Sequence, residues 1–150
     1  MTAFRFRLAR VLDWYRNQSQ IEEERLRVST DRAVQARMEF ERHQNDVIAR
    51  QMELIQSPQP RASELAALDP FRRKAQQMEV QLHQKCRNDE QAMDNQRRIT
   101  LAAQRRVRLV EKLRDRRLSE YQYEADKELE QLASETHLAG VARTLNDKSA

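Results

Sequence analysis

The chain has 150 residues, of which 39% are hydrophobic and 35% charged, with a formal net charge of +4. That balance leaves too little apolar mass for a thick globular core, and a composition rich in Ala, Glu, Gln, Leu and Arg with one glycine is that of a long helix or coiled coil. A single cysteine, Cys86, excludes an intramolecular disulfide, and one glycine excludes a glycine-rich phosphate loop.

Helix-breaking residues cluster near the middle, at Ser57-Pro58-Gln59-Pro60 and Asp69-Pro70, and the one glycine, Gly140, lies near the C-terminus. The expected fold is all-α: a two-helix antiparallel coiled-coil hairpin forming a single domain over 1–150. Helix one is placed at about 7–56, the connection at about 57–69, helix two at about 70–138, and a frayed tail at about 140–150.

The N-terminal run Met1 to Arg7 has no apolar core of a signal peptide, and no stretch approaches the roughly 20 apolar residues of a membrane span, so a cytosolic protein is expected. Helix one is read from the seven-residue column Leu12, Ser19, Leu26, Ala33, Phe40, Val47 and Leu54. The column three residues on, Tyr15, Glu22, Ser29, Ala36, His43 and Arg50, is weaker. Trp14, Ile21, Val28, Val34, Ile48 and Ile55 are expected to fill in around the seam and broaden it. Pro58 should end the helix, because proline disfavours helical geometry in the residue before it and has no N–H to donate.

Asp69 as cap and Pro70 at the first helical position mark the expected start of helix two, with a short turn from Ser63 to Leu68 ahead of it, Leu65 and Leu68 covering the hairpin end. From Phe71 the apolar positions recur every three or four residues through Ala75, Met78, Leu82, Met93, Ile99, Ala103, Val107, Val110, Leu113, Leu118, Tyr121, Ala125, Leu129 and Leu132. The stripe thins between Lys85 and Gln96, where Asp89 and Gln96 fall on one seam column and Lys85 on the other. Gly140 is the expected C-cap, and Asn146 to Ala150 should fray. On these limits helix two is longer than helix one by about 25 Å near the termini.

Between Arg97 and Arg117 lie nine basic residues against Glu111 and Asp115, and Arg97, Arg98, Arg105, Arg108, Lys112 and Arg116 fall within about a third of the helix circumference. The sign then reverses: Glu120, Glu124, Asp126, Glu128, Glu130 and Glu135 are opposed only by Lys127. Such a basic stripe is a solvated helix face, a docking surface for an acidic partner, or a nucleic-acid contact. Against the last, apolar seam residues continue through the basic stretch, whereas a basic-region zipper places its basic segment before the heptads.

Catalytic constellations are missing. His43, His83 and His137 are scattered, without the His-Glu-x-x-His spacing that sets two imidazoles around zinc, and carboxylate runs such as Glu22-Glu23-Glu24 have no pocket to raise a pKa. The expectation is a non-enzyme with no cofactor and no metal, working by binding partners.

The N-terminal run Phe6-Arg7-Leu8-Ala9-Arg10-Val11-Leu12-Asp13-Trp14-Tyr15-Arg16 resembles the opening of the FliJ family of flagellar type III export proteins. Val110-Glu111-Lys112-Leu113-Arg114-Asp115-Arg116-Arg117, Glu120-Tyr121 and Lys127-Glu128-Leu129 look like that family's C-terminal helix. The resemblance implies a coiled coil similar to that of the ATP synthase gamma subunit, acting as central stalk of the hexameric FliI-type export ATPase, binding the FlhA-type export gate and escorting export chaperones. Such a protein is cytoplasmic and peripheral to the membrane through the export apparatus. On that model Arg7, Arg10, Arg16, Lys112, Arg114, Arg116 and Arg117 contact acidic loops of the ATPase ring. Gate contact is placed at Phe71, Ala75, Met78 and Leu82, which form an exposed strip if helix one ends short of them and ordinary seam if it does not. The equivalent stalk of a virulence injectisome is an alternative within the same architecture, and a generic scaffold or nucleic-acid-binding coiled coil is the alternative outside it.

Overall fold

A computed structural model describes residues 3–56, 58 and 61–147, with side chains described through 143. Ser57, Gln59 and Pro60 of the expected connection and Lys148 to Ala150 of the expected tail lie outside the described residues. The chain is all-α, two long helices packed against each other: α1, Ala9–Gln56, and α2, Ala62–Asp147. At 1.5 Å per residue their 48 and 86 residues correspond to about 72 and 129 Å.

The contacts divide into two units, one formed by the residues up to Arg16 with those from Arg105 onward, the other by Asn17–Gln104. In the second unit the pairing is antiparallel. Going up α1, Glu22 meets Gln96 and Thr100, Glu39 meets Lys85, Gln44 meets Glu79, and Arg50 stacks over the Phe71 ring at 5.8 Å. The first unit has the same sense, with Arg16 bonded to Glu111 and the Phe4 and Tyr121 rings 5.5 Å apart.

Every member of the column Leu12 to Leu54 is buried or half-buried, and so is the weaker column from Tyr15 through His43, Arg50 alone being exposed. Position on the helix, not apolarity, decides what enters the seam. Among the described residues the buried apolar side chains are few, and all but Leu12 are small: Leu12, Ala33, Ala36 and Cys86.

Part of the seam is polar. Thr100 is 2% exposed and its hydroxyl donates to the Glu22 and Gln96 carbonyl oxygens, both at 3.0 Å. Gln96 Nε2 donates to the Glu22 carboxylate at 2.5 Å, and one turn away Gln104 Nε2 and the buried Ser19 hydroxyl both donate to Glu23 Oε1, at 2.9 and 3.2 Å. No buried side-chain donor or acceptor among the described residues lacks a partner, which is the condition for such a layer to be tolerated.

Several expectations are corrected. Trp14, Ile21, Val28, Val34, Ile48 and Ile55 do not fill in the seam; all are exposed, because at 100° per residue they fall on the flanks and back of α1. Ile99, Leu113, Leu129 and Leu132 of α2 are likewise exposed. The second α2 column runs through buried Cys86 rather than Lys85, whose ammonium reaches the Glu39 carboxylate at 2.7 Å across the flank; Asp89 and Gln96 do lie half-buried on the other.

The start of α2 is also earlier than Pro70. The Arg61 N–H donates to Glu64 Oε2 at 3.0 Å, and the Glu64 and Leu65 N–H groups donate to the Arg61 carbonyl at 2.9 and 3.2 Å, one half of a capping box. The helix then runs through Pro70 without interruption. Pro70 removes the bond to the Ala66 carbonyl, but Ala66 is exposed and water can serve that oxygen, while Leu68, Phe71 and Ala75 continue the seam against α1. Asp69 holds Arg73 at 2.7 Å instead of capping, and Leu65 is exposed where Leu68 is half-buried. At the other end Gly140 is helical, without a positive φ, and α2 runs on through Asn146 to Asp147. The flanking Ala139, Val141, Ala142 and Arg143 extend the helix past it, since glycine only weakens a helix when nothing downstream turns the chain.

Candidate functional site

The seven basic residues proposed to touch the ATPase ring all fall in the unit formed by the chain termini. Leu12 packs as the buried anchor of α1 there, so Arg7, Arg10 and Arg16 project from the exposed faces around it. On α2 the seam positions Val107, Val110 and Leu118 are half-buried, which turns Arg105, Arg108, Lys112 and Arg116 outward.

The structure separates these cations into two sets. Arg16 donates through Nε and Nη2 to Glu111 Oε1 at 3.2 and 2.8 Å. Arg114, half-buried on the seam, donates from Nε and Nη2 to Asp115 at 3.1 and 2.8 Å, and Arg116 and Arg117 converge on the two oxygens of Glu120 at 3.1 and 3.0 Å. Arg7, Arg10 and Lys112 form no ion pair among the described residues and remain fully available to an acidic partner. Exposed pairs of the first kind are each worth under about 1 kcal/mol, so an incoming carboxylate can replace them.

Beside these residues the segment Ala3 to Leu8, which ends in a turn at Arg7 and Leu8, lies along α2, with Phe4, Phe6, Leu113, Arg117, Tyr121 and Glu124 among the groups lining an open groove of about 1130 Å³. Periodicity within the helices assigns no contact to Phe4 or Phe6; the signal for them is the pair of aromatics two residues apart shortly before the first seam leucine, Leu12.

The strip proposed for gate contact belongs to the other unit. The condition for its exposure is not met, because α1 extends to Gln56 and covers it. Phe71, Ala75 and Leu82 are half-buried, and Met78 alone is 41% exposed. Phe71, Ala75 and Met78 line a shallow cleft of about 300 Å³ with His43, Asp46, Val47, Arg50 and Lys74, and His43 Nε2 sits 3.0 Å from the Ala75 carbonyl oxygen. Arg50 and His43 are contributions from α1 that helix-two periodicity alone could not supply.

Hydrogen bonding from Arg27, reinforced by its charge, holds the Glu24 carboxyl below the usual range, and the Glu39 carboxylate similarly holds the Lys85 ammonium above its ordinary value. Burial in the seam pushes the Cys86 thiol up. Among the described residues no group of three His, Cys, Asp or Glu could hold a metal ion, and no helix is long and apolar enough to cross a membrane. What the arrangement offers chemically is an exposed cationic surface in the unit that contains both terminal segments. No family model, curated protein or solved structure matches the chain.

Proposed function

We propose that this chain is a non-enzymatic stalk component of a type III protein export apparatus of the flagellar kind, binding an export ATPase hexamer and linking it to the export gate. The observation that carries the reading is that Arg7, Arg10 and Lys112, exposed and without ion pairs among the described residues, all belong to the unit that joins the residues up to Arg16 with those from Arg105 onward. A terminal end of this kind suits insertion into a ring lined by acidic loops, as the resemblance of the Phe6 to Arg16 run implies. Arg16, Arg114, Arg116 and Arg117 are secondary contacts that exchange their own carboxylates for the ring's. Gate contact through the Phe71 strip is restricted to Met78 and the cleft beside it, since the rest of the strip packs on α1. Peripheral membrane association and chaperone escort belong to the same reading.

The test is the ATP hydrolysis rate of the FliI-type ATPase from the same organism, with and without this protein. Stimulation is expected, and Arg7→Glu, Arg10→Glu and Lys112→Glu together should abolish it while far-ultraviolet circular dichroism is unchanged. Stimulation should also fall as salt is raised from 50 to 500 mM, because exposed charges are screened. Absence of binding, or stimulation indifferent to the charge reversal, overturns the stalk reading.

A further inference from the structure

The seam of α2 continues beyond the part that the described residues of its own chain cover. Leu118, Tyr121 and Ala125 are half-buried, yet no residue from 126 to 143 is even half-buried, a length of about 27 Å. The periodicity does not stop with the burial: Leu118 and Ala125 are followed at the same three- and four-residue spacing by Leu129, Leu132, Thr136 and Ala139. Leu129 is 64% exposed and Leu132 57%. Among the described residues ahead of α1, Ala3 to Leu8 lie against α2 between Leu113 and Glu124.

The borders of this uncovered stripe are acidic. At 100° per residue Glu124, Glu128 and Glu135 line one edge and Asp126 the other, while Lys127, the one cation between Glu120 and Glu135, sits on the opposite side of the helix. Two copies meeting symmetrically on this stripe would set acidic edges against each other, which is repulsive in any pairing of like faces. A helix with its own apolar stripe and Lys or Arg along its edges satisfies both the seam and the charge.

We infer that residues 125–139 of α2 are a docking site for a basic amphipathic helix of a partner protein, which extends the intramolecular seam by helix-on-helix packing. This site is distinct from the cationic cluster of the stalk reading and does not depend on it. Leu129 and Leu132 are the apolar anchors, and Glu124, Glu128 and Glu135 select a cationic partner.

The test uses the full chain and two fluorescein-labelled synthetic 21-residue helical peptides, both with leucine at the seam positions, one with lysine and the other with glutamate along the edges. Fluorescence anisotropy at 150 mM NaCl is expected to show binding of the lysine-edged peptide at least tenfold tighter than of the glutamate-edged one. Leu129→Asp with Leu132→Asp should weaken it at least tenfold at unchanged helicity, while Leu138→Asp, on another face of the same segment, leaves it unaltered. Equal binding of the two peptides, no binding, or equal weakening by Leu138→Asp overturns the inference. So does sedimentation showing that the chain alone self-associates through Leu129 and Leu132, which would make a second copy the occupant.

Discussion

Leu12 and Trp14 stand two residues apart and give opposite outcomes when truncated. Leu12 is 3% exposed, the largest of the buried apolar side chains, whereas Trp14 is 55% exposed and its ring contact is with Tyr15, its own neighbour, at 5.1 Å. A buried Leu→Ala change costs 2–5 kcal/mol, and Leu12 belongs at the lower end, about 2.5 kcal/mol, because half-buried Tyr15 and exposed Leu8 border it and water can enter the gap. In a chain of this length that lowers Tm by about 5–10 °C. Trp14→Ala should lie within about 0.5 kcal/mol of the parent, because its loss opens no cavity and alanine is the better helix former. Urea unfolding followed at 222 nm measures both. A cost below about 1 kcal/mol for Leu12→Ala, or an equal cost for Trp14→Ala, would refute the assignment of the seam to the Leu12 column and of Trp14 to the outer face.

Pro70→Ala should raise stability by about 2 kcal/mol in the same assay, since it restores the bond to the Ala66 carbonyl and removes the ring clash inside a continuous helix; a loss of stability would mean that Pro70 sits at a helix start after all. Gly140→Ala should add about 0.5–1 kcal/mol to the local helix and increase ellipticity, because an added Cβ meets nothing within 4 Å and the backbone there is helical; a decrease would indicate a left-handed cap. The Cys86 thiol should react with a disulfide reagent at pH 8 at least tenfold more slowly in the native chain than in urea, and equal rates would place it outside the seam. Because its folded pKa is raised, native and unfolded thiols are both neutral below about pH 8; as pH rises past the free value near 8.5, the unfolded chain gives up a proton that the folded chain keeps, and stability falls. Cys86→Ala should remove that part of the alkaline loss.

The two-helix pairing was legible because Leu12, Leu26, Phe40, Val47 and Leu54 repeat at sevens, and geometry then forces whatever stands three residues on into the same seam. That is why Glu22, Ser29 and His43 are half-buried although their composition marks them as weak. The converse error, placing Trp14 and Ile48 around the seam, came from weighing hydrophobicity above angular position. Pro70 misled for a different reason: its local preference for a helix start was outweighed by the Arg61–Glu64 cap upstream and by the continuous burial of Leu68, Phe71 and Ala75. At the candidate site, Arg116 with Glu120 could be read as neighbours one turn apart on a helix. The Arg16–Glu111 pair could not, since 95 residues separate its members and only the antiparallel pairing joins them.

The polar layer around Glu22, Gln96 and Thr100 also settles how the second unit responds to a pull along its helices. Sliding one helix past the other by a single heptad would put Asp89 or Ala103 in the place of Gln96 and Met93 or Val107 in the place of Thr100; the Glu22 carboxylate, 13% exposed, would keep Arg25 of its own helix at 2.7 Å but lose its cross-helix amide donor, and the Glu22 carbonyl would lose the Thr100 hydroxyl. Each of these two acceptors left without its cross-helix donor costs about 1–3 kcal/mol. The layer therefore works as a detent, opposing a one-heptad slip of one helix along the other within that unit.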